Sequence, residues 1–320
     1  MSFFRKIPLG VGGLALGAAG LGNLLAYPGG LFAEPFSQWI RYGFGALAVL
    51  ALFLFVTRIA CDLSGVKKDL QSPVASSLLP AVVMAVILLT IYLVPYAPTI
   101  AWVIFVLAAV VQICIMISFA WRFVLKFKLV NVYPSWFVAG VGIQAVAIAS
   151  PHMDALRLGQ IAFWIGFVFY FAILFVVIFR YIKHRPVPEK YQPTIMVFTA
   201  PMGICIIGYL SAFPQPSALL LIFMLVVQAL SFPLALVALP KLVGLPFYPS
   251  HAALGFPTVV NAFAFKLGTV ELSQAGFDGF LVSSVLPVVA YLAEALALIV
   301  VCYVIARYSL FLVSQLRNHT

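Results

Sequence analysis

Apolar runs of spanning length recur along the whole chain, separated by links rich in proline, glycine or cations. A helix that crosses hydrocarbon needs roughly 20 apolar residues. The pattern predicts ten such spans, at about 7–27, 37–60, 74–94, 99–122, 134–150, 158–180, 193–213, 217–239, 247–266 and 281–306. The links alternate as well. Pro95–Pro98 and Pro214–Pro216 mark short uncharged turns, whereas 61–73, 123–133 and 181–192 are longer and basic. A short link after each odd span predicts five helical hairpins in series.

The ninth span carries the most unusual local sequence, FYPSHAALGFPTVVNAFAF from Phe247 to Phe265. Pro249 opens it and Pro257 falls at its middle. A proline there removes a backbone donor and clashes with the preceding turn, so a carbonyl near Ala253 loses its partner. In hydrocarbon such a group is tolerated only where neighbouring helices, side chains or water satisfy it. Phe256, beside Gly255 and just before the kink, reads either as a packing wedge or as a plug in a pore.

Odd and even spans differ in chemistry. Each odd span has a proline within it or at its start, Pro8, Pro80, Pro134, Pro201 and Pro257, with separations of 72, 54, 67 and 56 residues. Loose internal repeats of this kind are common in transport folds. Span 1 also holds Gly10, Gly12, Gly13, Gly17, Gly20 and Gly22, which permit close backbone approach. No odd span carries Asp, Glu, Lys or Arg within its apolar run. The pattern predicts an inner ring of odd helices whose kinks shape a pathway, with the even helices outside.

Composition narrows the class. The chain of 320 residues is 65% hydrophobic and only 8% charged, too little charge for a soluble surface. It is expected to form one polytopic transmembrane domain over 1–320. The N-terminal apolar run lacks a small-residue cleavage site and reads as a first span, not a removable signal. Of the 18 lysines and arginines, only Arg41, Arg157 and Lys266 fall on the side opposite the basic loops, which leaves 15 on the other. That asymmetry predicts both termini in the cytoplasm. The net charge of +10 fits this bias and attraction to anionic lipid; a nucleic-acid partner is not expected. Cys61, Cys114, Cys205 and Cys302 lack the spacing of a metal site or disulfide framework, and no cofactor is expected. Nothing resembles a catalytic motif: there is no HExxH, no phosphate loop and no paired carboxylates.

The segments IPLG at Ile7–Gly10, SPV at Ser72–Val74 followed by Pro80, YPS at Tyr133–Ser135, AP and GYLS at Ala200–Pro201 and Gly208–Ser211, and GFP at Gly255–Pro257 occur in order. That series resembles the tellurite-resistance/dicarboxylate transporter family, which includes TehA-type bacterial proteins and the slow-type anion channels of plant guard cells. The resemblance implies an all-α integral membrane protein of ten helices in five tandem hairpins. Five kinked odd helices would surround a central pore in each subunit of a homotrimer, in a bacterial inner membrane. It implies passage of small anions, with the phenylalanine before the ninth-span kink, here Phe256, occluding the pore. The alternative activity is a proton- or gradient-coupled carrier of C4-dicarboxylate, sulfite or tellurite-type oxyanions. A receptor or assembly protein without transport is a third class.

Lys6 stands where the family usually has a small residue, and reads as a membrane-surface anchor or a charge at the pore mouth; Lys241 could join it there. His251, one turn before Phe256, could bind an anion or sense pH, or cap and pack the helix. Gly10 and Gly255 are further candidates for the pathway. Asn23, Ser76, Ser77, Gln144, Thr199, Thr258 and Asn261 could line the pore or bond between helices. Glu294, inside the tenth span, is a functional candidate by depth alone, yet the sequence names no basic partner for it.

Overall fold

The computed structural model describes residues 3–184 and 187–317; Arg185, counted above among the cations, lies outside the described residues, as do the chain ends. Among the described residues the chain is helical throughout, with eight helices long and apolar enough to cross a membrane and a shorter apolar one, Val11–Leu25. The protein is a multi-pass membrane protein.

In chain order the helices are α1 (Val11–Leu25), α2 (Phe36–Cys61), α3 (Leu63–Asp69), α4 (Pro73–Leu78), α5 (Pro80–Leu93), α6 (Pro98–Phe119), α7 (Trp136–Val141), α8 (Gln144–Ala149), α9 (Leu156–Lys183), α10 (Pro201–Ala212), α11 (Ala218–Val243), α12 (Ala252–Gln274) and α13 (Leu286–Arg317). A 3-10 segment, Glu189–Thr199, leads into α10, and a π turn, Leu281–Val285, leads into α13.

The prolines act mainly as joints. Pro80 and Pro201 occupy the first turn of α5 and α10, and Pro8 and Pro134 precede α1 and α7. Of the five, only Pro257 interrupts an α-helix from within. Each of the five thus lies within its span or at its start, and Pro80 and Pro201 stand at breaks inside the longer spans Pro73–Leu93 and Glu189–Ala212. A proline at a helix start costs little, because that N–H has no helical partner anyway, so most of these residues begin a helix where a shorter segment ends. The fifth span breaks at Gly142–Ile143, between α7 and α8, and not at Pro134. Two expected loop boundaries also move. α12 continues to Gln274 and so carries Lys266 and Glu271 on the helix, and α13 runs to Arg317, taking in Arg307. From Val288 to Arg317 there is neither Pro nor Gly to stop the helix.

Burial separates two sets of segments. In Pro73–Leu93, Glu189–Ala212 and Pro249–Gln274, 67–78% of the most apolar stretch is buried; in α2, α6, α9, α11 and the tenth span the figure is 28–39%. The outward faces of the second set carry large apolar side chains such as Phe53, Leu107, Phe175 and Val237, a surface suited to hydrocarbon and not to water. α1 and the α7–α8 pair belong with the buried set. α1 packs on α5 and α12, α5 on α8, and α8 and α12 both on α10. The glycines of α1 are poor helix formers, but they allow this approach: a Cβ at Gly13 would stand 3.0 Å from Ala252, and one at Gly17 would stand 3.4 Å from the Phe256 nitrogen.

Candidate functional site

Three cavities follow one another among the buried helices. A mouth of about 480 Å³ is lined by Pro8, Lys68, Ser72, Lys190 and Tyr248. It shares Leu9, Gly10 and Leu78 with a central cavity of about 60 Å³, bounded by apolar residues of α1, α4, α5, α7, α10 and α12. Beyond lies a far chamber of about 330 Å³, lined by Asn23, Tyr27, Arg41, His152 and Ser211 among others. Phe256 is the one residue common to the linings of the central cavity and the far chamber.

Its position follows from local sequence. Pro257 cannot donate to Ala253, and Ala253 faces the central cavity. The hydroxyl of Thr258 donates to the Gly255 carbonyl at 2.7 Å and to Leu254 at 3.4 Å, so it satisfies carbonyls around the kink. Opposite, α1 offers Gly20 as a flat seat for the ring: a Cβ there would stand 3.1 Å from Phe256 Cε2. The ring is half-buried, as expected of a group between two spaces.

Several expected lining residues lie elsewhere. Thr199 and Asn261 belong to a buried network in which Asn261 Nδ2 donates to Thr199 Oγ1 at 3.2 Å, and Gln228 Nε2 donates to the Thr199 carbonyl at 2.9 Å and to Asn261 Oδ1. They bind α11 and α12 to the segment before α10, and line none of the three cavities. Gln144 likewise donates to the Phe163 carbonyl at 3.0 Å, and Ser77 to Ser135 at 2.7 Å. Gly255 packs toward Gly17 and Val301. His251 is buried, accepts from the Tyr248 N–H at 3.1 Å and stacks on Phe247, so it organises the start of α12. Lys6 is exposed in the turn Phe4–Lys6 and does not line the mouth, while Lys241 borders a separate groove beside Arg180. Long cations near helix ends turn toward the membrane surface whenever the packing lets them, which composition alone does not reveal. Gly10 lines both the mouth and the central cavity; Pro8, Pro201 and Pro257 line cavities, whereas Pro80 and Pro134 are buried in packing.

The lysines at the mouth are Lys68 and Lys190, both missed as pathway residues because they sit in basic loops with many others. Asp69 shares that mouth, and Arg58 engages it at 3.3 Å together with Asp62. The Arg58 guanidinium, helped by the Gly65 N–H, holds the Asp62 carboxyl down to about 2. Arg58 thus offsets the acids nearest the mouth, leaving the lysines to set its sign.

Glu294 has the partner the sequence did not name. Its Oε2 lies 3.0 Å from Lys266 Nζ, its Oε1 accepts from the Leu31 N–H at 3.2 Å, and Lys266 donates to the Tyr27 carbonyl at 3.3 Å. Glu294 is 1% exposed. The pair fastens the link after α1 to α12 and α13 and borders none of the three cavities. Among the described residues no cluster of His, Cys, Asp or Glu could hold a metal ion.

Residues 6–308 match the family described as SLAC1, voltage-dependent anion channel. Two proteins of Methanocaldococcus jannaschii, each described only as an uncharacterized transporter, are also similar. One is 28% identical over 45% of this chain and 46% of its own length. The other is 25% identical over 55% of this chain and 56% of its own. The chain thus spans about half the length of the curated relatives it matches.

Proposed function

The chain belongs to the SLAC1, voltage-dependent anion channel, family, and from that premise we propose that it passes small monovalent anions through a pore closed by Phe256. The observation that carries this reading is the placement of one phenylalanine between two otherwise separate cavities. In this reading ten helices form five tandem hairpins. The buried segments make the inner ring, supported by the packing of α1, α5, α8, α10 and α12 each on the next and of α12 back on α1. Both termini are cytoplasmic in a bacterial inner membrane, so the lysine mouth faces the cytoplasm, and the subunits form a homotrimer.

The chemistry suits conduction. No charged side chain lines the central cavity, and a pore must hold its ion weakly enough to release it. An aromatic ring across an apolar constriction excludes water and ions by dewetting, so opening requires the ring to move. Anion preference would arise from the field of the mouth lysines. A coupled carrier needs an acid that exchanges protons with the path, and Glu294 lines none of the three cavities and is neutralised by Lys266, which supports the channel.

Current recordings on reconstituted protein test the proposal. In Phe256→Ala, replacing chloride by gluconate on one side should shift the reversal potential, while replacing sodium by a large organic cation should not. A reversal potential that follows the cation contradicts the anion channel.

A further inference from the structure

The far chamber contains donors with nothing to donate to. Arg41 reaches into it from α2, against the general outward orientation of that helix. Its Nη2 donates to the Ile91 carbonyl at a long 3.3 Å, its Cζ lies 4.6 Å from the centre of the Tyr92 ring, and its Nε has no partner. Tyr92 is itself fixed by donating to the Ala19 carbonyl at 2.7 Å, so the guanidinium rests on a rigid platform. Among the described residues no carboxylate lies within ion-pair distance of Arg41. Asn23, on α1, lines the same chamber, and its Nδ2 is buried without a partner. Tyr27, His152 and Ser211 complete the polar lining, to which no Asp or Glu contributes.

A guanidinium remains charged at any physiological pH, and buried donors without acceptors are costly to leave unmade. An arginine and an amide that each keep a donor without an acceptor, in a space large enough for a guest, make a complementary site for an anion. The single formal positive charge of Arg41 sets the valence: a dianion would keep one charge without a partner there.

We propose that the far chamber is a binding site for one small monovalent anion, of the halide or nitrate class, held by Arg41 and Asn23 beyond Phe256. Its place on a conduction path rests on the channel reading, whereas binding itself rests on the chamber alone. Anions would gather at the exposed lysines, cross the apolar centre when the ring moves, and pause at Arg41 before release.

The test uses the purified full chain in detergent. Its unfolding temperature is followed against sodium nitrate or sodium chloride, with gluconate holding ionic strength constant. A saturable rise is expected, because a ligand that binds only the folded state stabilises it by mass action. Arg41→Gln should weaken the apparent affinity by roughly tenfold or more, the size of a lost charge-assisted bond. Arg157→Gln, which removes an exposed cation that does not line the chamber, should leave the titration unchanged. Should Arg41→Gln not fold, Asn23→Ala replaces it, with a weaker shift in the same direction. A rise that does not saturate, or one equal in wild type and the chamber variants, overturns the site. In the Phe256→Ala background, Arg41→Gln should raise the half-saturating anion concentration of the current. An unchanged half-saturation overturns the site while leaving the channel. Absence of current in Phe256→Ala counts against the channel, and the binding titration then decides the site alone.

Discussion

Helix α12 holds two contrasting regions within ten residues of one another. At Phe256 a large apolar side chain is only half-buried, with a cavity on either side. At Lys266 a cation is almost wholly buried against Glu294, and neither member of the pair lines a cavity. This is the reverse of what hydrophobicity alone would assign. The difference separates packing from pathway: the charged pair is sealed because it fastens three pieces of backbone, and the ring is loosely held because it borders free space. Substitutions at the two places should therefore have opposite signatures.

The largest loss of stability is expected at the sealed pair. Lys266→Met leaves Glu294 buried without its cation, and breaking such a pair from one side costs about 3–5 kcal/mol. Thermal unfolding should show that loss. Glu294→Gln keeps an acceptor for the Leu31 N–H and should cost less, with anion current through a Phe256→Ala background unchanged. A current lost in Glu294→Gln while the protein stays folded would bring the acid back into the transport path.

A smaller effect is expected at the mouth. Removing both Lys68 and Lys190 as alanines should lower conductance at low salt by reducing the local anion concentration, and the deficit should fade as ionic strength approaches about 1 M, where the screening length is about 3 Å. Equal conductance at every ionic strength would assign those lysines to the membrane surface. Lys6→Ala, by its position, should change little.

The smallest effect concerns the seat of the ring. Gly20→Ala gains up to about 1 kcal/mol of helix propensity, but its Cβ would press on Phe256. In the wild type the two contributions should nearly cancel. In Phe256→Ala only the contact with Val259 Cγ1 at 3.3 Å remains, and the same change should be more favourable than in the wild type. A double-mutant cycle of unfolding temperatures reads the coupling directly, and additivity would mean that the ring does not rest on α1.

The succession of apolar membrane helices, the contrast between buried and outward-facing segments and the break at Pro257 were legible in the sequence. Hydrophobic runs and proline spacing are local signals, and local signals survive in one dimension. The side-chain partners were not legible. Glu294 and Lys266 are 28 residues apart on two helices, and Lys266 stood at the very edge of an apolar run where a loop was expected. The charge pattern places Arg41 only on the side opposite the basic loops, with Arg157 and Lys266; the packing of α2 against α1 and α5 turns it inward. Thr199 and Asn261 show the converse. Their polarity in an apolar span suggested a lining, but buried polar groups first satisfy one another, and Gln228 of an outer helix supplied the partner.

The central claim is that Phe256 closes a cavity and does not seal a core. The direct measurement pairs the unfolding temperature of Phe256→Ala with its anion current in the same preparation, using Phe163→Ala as the sealed comparison, since Phe163 is fully buried. Phe163→Ala should lose about 3–5 kcal/mol, as buried Phe→Ala changes do. Phe256→Ala should lose under about 2 kcal/mol, because the ring is only partly buried and borders a cavity on either side, and its anion current should rise many-fold over wild type. A Phe256→Ala protein as destabilised as Phe163→Ala and still closed would contradict the account.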